Sequence, residues 1–119
     1  MNWKNLTTPQ ELEYIKSESF NHPILIFKHS TRCGTSALVK SKLERSWNSE
    51  ETGNIDTYYL DLIRYREVSN LIEREFGVYH ESPQALIIRK GKSVFDASHF
   101  WVSYQNILEQ LNAVESEKE

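Results

Sequence analysis

The sequence is poor in cysteine, with Cys33 as the only one among its 119 residues. A single cysteine excludes an internal disulfide framework and is typical of proteins that work in a reducing cytosol. It also requires that any disulfide formed by Cys33 involve a thiol from another molecule. We therefore expect a cytoplasmic protein whose sulfur chemistry is intermolecular.

Long apolar runs and basic clusters are missing as well. The uninterrupted apolar runs are no longer than four residues, too short to span a membrane, and the N-terminus lacks the apolar stretch of a signal peptide. The 17 acidic residues outnumber the 14 basic ones, and the basic residues are not clustered. This charge distribution argues against nucleic acid as a partner. No dimer face is evident, so we expect a monomer.

The spacing of apolar residues predicts a single α/β domain over residues 1–119, with a charged tail from about residue 115. Strands separated by helices imply parallel pairing, and a final hairpin adds an antiparallel strand. We therefore expect a mixed four-stranded sheet with helices on both faces and an extra N-terminal helix. The predicted elements are a helix beginning near residue 9, a strand at 24–27, a helix at 34–47, a loop at 48–54, a strand at 55–60, a helix at 65–76, a strand at 84–88, a hairpin strand at 93–95 and a helix beginning near 104.

Cys33 follows the buried strand at 24–27 and stands at the predicted start of the next helix. The free N–H groups and the macrodipole of a helix N-terminus favour a thiolate, which is the form that attacks sulfur. Arg32 adds positive charge beside it, and Lys28 or His29 would do the same if they point towards the sulfur. A free cysteine is also a common core residue, but its small and polar neighbours favour the reactive interpretation.

Two further motifs accompany Cys33. Ser36 lies one helical turn later, where its hydroxyl could donate a hydrogen bond to the thiolate, although an ordinary first-turn serine has the same spacing. Serine at this position also removes the possibility of an internal disulfide. Ser82 and Pro83 precede the third strand, and if their peptide bond is cis, the backbone of Ser82 would face the sulfur and pair with an extended substrate peptide.

The histidines and tryptophans do not indicate a second functional site in the sequence. The histidines show no metal-ligand spacing, so we predict no bound metal and interpret all four as surface or turn residues, with proton transfer at the thiol as an alternative for His29. The tryptophans are interpreted as packing residues. These residues are His22, His29, His80 and His99, and Trp3, Trp47 and Trp101.

The strand, the turn Cys33-Gly34-Thr35-Ser36, the helix and the later Ser82-Pro83 before a hairpin resemble the thioredoxin superfamily from about residue 24 to 111. This resemblance implies a thioredoxin-like fold with a cis Pro83 opposite Cys33. Within the superfamily, His29-Ser30-Thr31, the Cys-x-x-Ser motif and Ser82-Pro83-Gln84 resemble the monothiol bacilliredoxins. That family usually has threonine directly before the cysteine and proline directly after it, where this chain has Arg32 and Gly34.

The bacilliredoxin resemblance implies that Cys33 removes bacillithiol from S-bacillithiolated cytosolic proteins by thiol–disulfide exchange during oxidative stress. Bacillithiol would be the co-substrate, no cofactor would be bound, and Lys28 or Arg32 would contact the carboxylates of bacillithiol. The expected catalytic residues are Cys33, Ser36 and Arg32, and the expected substrate-binding residues are Gly34, Thr35, Ser82 and Pro83.

Two alternatives come from other functional classes. Cys33-Gly34-Thr35-Ser36 also resembles the Cys-Gly-Phe-Ser motif of monothiol glutaredoxins, which implies an iron–sulfur cluster carrier. Thr35 replaces the aromatic residue of that motif, and Val94-Phe95-Asp96-Ala97 stands where that family has Gly-Gly-x-Asp. The third hypothesis is a non-catalytic thioredoxin-like adaptor, in which Cys33 reacts no faster than a free cysteine.

Overall fold

A computed structural model describes residues 1–53 and 55–116, which contain both helices and strands. The strands are β1 (Trp3–Asn5), β2 (Ile24–His29), β3 (Asp56–Asp61), β4 (Gln84–Arg89) and β5 (Lys92–Ser98). The helices are α1 (Pro9–Glu18), α2 (Gly34–Ser46), α3 (Ser49–Thr52), α4 (Arg66–Phe76) and α5 (Tyr104–Ser116), with a 3₁₀ turn at His99–Trp101. Within these residues, no helix combines the length and the apolar character that a membrane crossing needs.

The strands form one mixed sheet in the order β1-β3-β2-β4-β5. The central strand β2 pairs in parallel with β3 and antiparallel with β4. The predicted α/β class and mixed sheet are confirmed, but the predicted count of four strands is wrong. The fifth strand, β1, pairs with β3 at the edge of the sheet and places Trp3 opposite Thr57. Three residues are too few for an alternating pattern to be recognised in a sequence.

Alternate residues of β2 contribute to two separate cores. Ile24 and Ile26 pack with residues of α1 and α4, whereas Leu25 and Phe27 pack with residues of α2 and α5. Every residue of β2 and of β4 is buried, which explains why the sequence of each is largely a continuous apolar run. Helices therefore cover both faces of the sheet, as predicted.

Local signals determine where the helices begin and end. The Thr8 hydroxyl accepts a hydrogen bond from the Glu11 N–H at 3.2 Å, and the Glu11 carboxylate accepts one from the Thr8 N–H at 3.1 Å, so the capping box that opens α1 is present. Gly77 ends α4 with a left-handed φ of 64°, a conformation that glycine adopts without strain.

Two of the sequence predictions need correction or fall partly outside the described residues. The predicted loop at 48–54 contains the short helix α3, because the Asn48 side chain caps it by accepting a hydrogen bond from the Glu50 N–H at 3.0 Å. Residue 54 of that loop lies outside the described part. The predicted tail begins inside a helix, since α5 continues to Ser116, and residues 117–119 lie outside the described part.

Candidate active site

Cys33 occupies the cap position at the N-terminus of α2, where the sequence predicts it. Its backbone is extended, with φ −109° and ψ 117°, and its carbonyl accepts a hydrogen bond from the Ala37 N–H at 3.1 Å. Its own N–H donates to the Ser30 carbonyl at 3.2 Å, which closes the turn between β2 and the helix. The side chain is a free, partly exposed thiol that makes no capping hydrogen bond. A sulfur in this position is accessible to a second molecule and lies next to unsatisfied helical N–H groups.

The residues next to Cys33 leave its surroundings open. Arg32 and Gly34 are exposed, and Thr35 is half-buried. The Arg32 guanidinium has no ion-pair or hydrogen-bond partner within the described residues. It is therefore available to an anionic group that approaches the sulfur. No Cβ at residue 34 would meet a neighbouring atom within 4 Å, so the glycine there is not required by packing.

Ser36 lies at the predicted distance along the helix, but its hydroxyl is already engaged. The residue is fully buried, and its Oγ lies 2.7 Å from His29 Nδ1 and accepts a hydrogen bond from the Ser30 N–H at 3.2 Å. Within the described residues, no hydrogen bond joins Ser36 to the Cys33 sulfur. The hydroxyl therefore ties the end of β2 to the first turn of α2, and its predicted hydrogen bond to a thiolate stays a prediction.

His29 is a buried residue and not the surface or turn residue that the sequence suggests. It is the last residue of β2, and its ring stacks on Phe27 and packs against Tyr59 at centroid distances of 6.0 and 5.5 Å. Burial lowers the pKa of His29, and the nearby Lys40 ammonium lowers it further. A neutral His29 is therefore the partner of Ser36 at neutral pH.

Lys28 points away from Cys33, which corrects two expectations. The side chain is fully buried, and its Nζ donates to His80 Nδ1 at 2.9 Å and to the Ser69 carbonyl of α4 at 3.3 Å. Burial lowers the pKa of Lys28 to about 8. Because neighbouring strand residues alternate between faces, Lys28 lies on the α4 side of β2. It neither adds charge beside the sulfur nor reaches a ligand in solvent, and Arg32 is left as the candidate for both roles.

Ser82 and Pro83 lie at the same edge of the sheet as the cysteine turn. The antiparallel register places Lys28 opposite Gln84, so the chain leaves β2 towards Cys33 next to where it enters β4 after Pro83. The Ser82–Pro83 peptide bond is cis, and Pro83 is buried. The Ser82 Oγ is buried without a hydrogen-bond partner within the described part of the protein, which is unusual for a polar atom.

An exposed aromatic pair beside Pro83 was missed by the sequence analysis. The His99 N–H donates to the Pro83 carbonyl at 2.9 Å, so the 3₁₀ turn begins next to Pro83. Phe100 and Trp101 in this turn are 64% and 75% exposed, which makes the interpretation of Trp101 as a packing residue wrong. The available signal is the three bulky apolar residues at 100–102, between the hairpin strand and the helical spacing of α5.

Solved structures with the same architecture are numerous. A protein with a thioredoxin fold and a provisional oxidoreductase assignment matches at 25% identity and a TM-score of 0.78, covering 92% of this chain and 93% of its own. Thioredoxin from Fasciola hepatica matches at 18% identity and a TM-score of 0.72, covering 92% and 97%. Thioredoxin from Trypanosoma brucei brucei matches at 13% identity and a TM-score of 0.75, covering 97% and 92%. The predicted thioredoxin-like fold is therefore confirmed.

A family model matches the chain and is more specific than the thioredoxin fold. It describes the monothiol bacilliredoxin BrxC and matches residues 4–107, which include the cysteine turn, the Ser82–Pro83 bond and the exposed aromatic pair. With most of its length matched, this chain belongs to the monothiol bacilliredoxin BrxC family.

Proposed function

We propose that this protein removes bacillithiol from S-bacillithiolated proteins by thiol–disulfide exchange at Cys33. The family match and the thioredoxin-fold neighbours support a thiol–disulfide redox function. The observation that carries the proposal is a partly exposed thiol at the N-terminus of α2 with a buried serine three residues later. Such a thiol can form a mixed disulfide but cannot resolve it within the chain. A reducing cytoplasm is the compartment that suits this single cysteine.

The proposed reaction consists of two exchanges. The Cys33 thiolate attacks the bacillithiol sulfur of a modified protein, a bond forms between these two sulfurs, and the protein cysteine leaves as a thiolate that is protonated by solvent. A second bacillithiol thiolate then attacks the bacillithiol sulfur held on Cys33. Bacillithiol disulfide departs and the Cys33 thiolate is regenerated. No resident cofactor is needed, because the disulfide bond itself passes from one molecule to the next.

The surrounding residues fit separate tasks in this reaction. The N-terminus of α2 favours an anionic group near the sulfur. Arg32, which has no ion-pair partner among the described residues, is the candidate contact for a bacillithiol carboxylate. The Ser82 backbone, next to the cis bond to Pro83, lies where an extended peptide would pair with the protein. Phe100 and Trp101 add exposed apolar surface beside that position, which suits a polypeptide better than a small thiol.

The experiment follows Cys33 by intact-protein mass spectrometry. Reduced protein incubated with bacillithiol disulfide should gain one bacillithiol on Cys33, and excess free bacillithiol should remove it. A purified S-bacillithiolated protein should lose its modification at a rate that depends on Cys33. A Cys33→Ser variant should show neither reaction. Absence of an adduct, or exchange no faster than that of an unstructured cysteine peptide, would contradict the proposal and favour the adaptor.

A Ser36→Cys variant provides the matched control. The added thiol at the position of Ser36 can attack the Cys33 sulfur of the adduct and form an internal disulfide. Bacillithiol should then leave without added thiol, and the protein should be two hydrogens lighter than the reduced variant. The original protein should keep its adduct under the same conditions. Parallel reactions with glutathione disulfide then report whether bacillithiol is the preferred low-molecular-weight thiol.

A further inference from the structure

A buried charged residue lies on the opposite face of β2 from the cysteine turn. Lys28 is fully buried, although apolar side chains fill the neighbouring positions on that face. Burying an ammonium group costs free energy unless its hydrogen bonds are satisfied, so an ordinary core position would carry leucine or isoleucine. The position of Lys28 therefore requires an explanation beyond packing.

The partner of Lys28 belongs to the segment that leads into Pro83. Lys28 Nζ lies 2.9 Å from His80 Nδ1, three residues before Pro83 in the chain. The same segment is also attached to its other neighbours: the His80 N–H donates to Glu73 of α4 at 2.6 Å, and Gln84 Nε2 of β4 donates to the Tyr79 carbonyl at 2.9 Å. Of these contacts, the Lys28–His80 contact is the one that connects the segment to the strand leading into Cys33.

The contact between Lys28 and His80 requires a defined proton arrangement. A charged Lys28 can only donate, so His80 Nδ1 must accept and the imidazole must be neutral. Burial lowers the pKa of His80, and the Lys28 and Arg66 charges lower it further, while Glu73 and Glu81 oppose them. Glu73 and Arg66 of α4 also face Lys28, with opposite effects on it, and the Ser69 hydroxyl lies 3.3 Å from His80 Nδ1. Protonation of His80 would remove the acceptor and set two positive charges against each other.

We propose that Lys28 and His80 are positioning residues that hold the Ser82–Pro83 segment in register with Cys33 and thereby set the affinity for polypeptide substrates. This inference rests on the proposed exchange function. It separates two classes of substrate. An S-bacillithiolated polypeptide pairs with the Ser82 backbone as well as reacting with the thiol, whereas bacillithiol disulfide uses the thiol and Arg32 but not the Ser82 backbone. Losing the contact weakens binding of the first class and leaves the reaction of the second unchanged.

The test compares an S-bacillithiolated polypeptide with bacillithiol disulfide as substrates of Lys28→Met and His80→Leu. In both variants we expect the KM for the polypeptide to rise about tenfold, the size expected for one buried charge-assisted hydrogen bond, with little change in kcat. The rate with bacillithiol disulfide should stay at the original value. His22→Leu is the matched control, because His22 is a half-buried histidine that contacts Asp56 at the opposite end of β2.

A pH series on the unmodified protein tests the same inference without a substitution. The KM for the polypeptide should rise only on the acid side of the ordinary histidine value of 6.5, because the pKa of His80 is lowered by burial and protonated His80 cannot accept from Lys28. His80→Leu should remove this dependence, and His22→Leu should retain it. Since His80 is only half-buried, its variant and the pH series give the result even if Lys28→Met does not fold.

The outcomes separate this inference from the proposed function. If neither substrate exchanges with the unmodified protein, the proposed function is wrong. If both substrates exchange and His80→Leu keeps the original KM at every pH, the positioning role is wrong and the function stands. An equal loss towards both substrates also overturns the positioning role, because it locates the damage at the thiol.

Discussion

Two adjacent residues of β2, Lys28 and His29, form polar contacts of different kinds on opposite faces of the sheet. His29 bonds to Ser36, only seven positions away, and connects the strand to the helix that begins at Cys33. Lys28 bonds to His80, 52 positions away, and connects the strand to the segment that ends at Pro83. The first contact joins neutral groups, whereas the second contains a buried ammonium. One strand thus positions the two halves of the candidate site separately.

This difference shows that adjacent residues of one strand can serve different roles on the two faces of the sheet. The contact on the α2 face is local and stabilised by ring packing, so it should contribute mainly to stability. The contact on the α4 face is long-range and depends on a proton, so it should respond mainly to pH. Three predictions test whether the two contacts really behave differently.

The largest expected effect is the loss of the local contact. His29→Ala should lower the free energy of unfolding by about 3–4 kcal/mol, because a packed ring is removed and Ser36 loses a hydrogen-bond partner. Chemical denaturation measures this loss. His29→Asn is the matched control, since its amide can keep a polar atom near the position of Nδ1 and should recover about 1 kcal/mol. A loss below about 1 kcal/mol in His29→Ala would mean that the contact contributes little to stability.

The second prediction concerns the long-range contact in alkaline solution. The pKa of Lys28 is lowered from 10.5 to about 8 by burial, so between these pH values the unfolded chain binds more protons at this residue than the folded chain. Stability therefore rises with pH across this window. The free energy of unfolding, taken as the difference from Lys28→Met, should increase by up to about 3 kcal/mol.

The local contact should show no such alkaline response. The pKa of His29 lies below its ordinary value of 6.5 because of burial, so its stabilising effect is present above that pH and is lost as the pH falls. The difference between the original protein and His29→Asn should therefore vary on the acid side only. A flat Lys28→Met difference between pH 8 and 10.5 would contradict the lowering of the Lys28 pKa by burial.

The smallest expected effect is electrostatic and confined to one side of the sheet. Lys40 lowers the pKa of His29 and takes no part in the contact between Lys28 and His80. Lys40→Met should therefore raise the pKa of His29 and leave that of His80 unchanged, as followed by NMR titration of the ring protons. Equal shifts at both histidines would show that the two contacts are electrostatically coupled across the sheet.

The sequence was sufficient to predict most of the architecture. Apolar spacing predicts the helices, continuous apolar runs predict the buried strands, and the Thr8 and Gly77 signals predict helix ends that the structure confirms. The position of Cys33 at a helix N-terminus follows from the same patterns. These features depend on neighbours close in sequence, which is why a single sequence reveals them.

The surroundings of the thiol were harder to predict because they depend on distant residues. The predicted strand ends at residue 27, whereas β2 continues to His29. Because a fully buried strand does not alternate between polar and apolar residues, the sequence also does not show which face of the sheet Lys28 and His29 each occupy. The partners of Lys28 lie 41 and 52 positions away. Trp101 is exposed because a 3₁₀ turn precedes α5, and three residues carry no recognisable period.

The short strand β1 has a consequence for self-association. By pairing with β3, it covers backbone groups that would otherwise lie open along one side of the sheet, where a strand from another molecule could add. Lys4, which forms a salt bridge with Asp56 at 2.8 Å, places a charge on the edge strand β1 and opposes the addition of a strand from another molecule. The pairing of β1 with β3 thus opposes aggregation through this edge of the sheet. An affinity tag at the N-terminus should therefore be attached through a linker that lets β1 pair with β3.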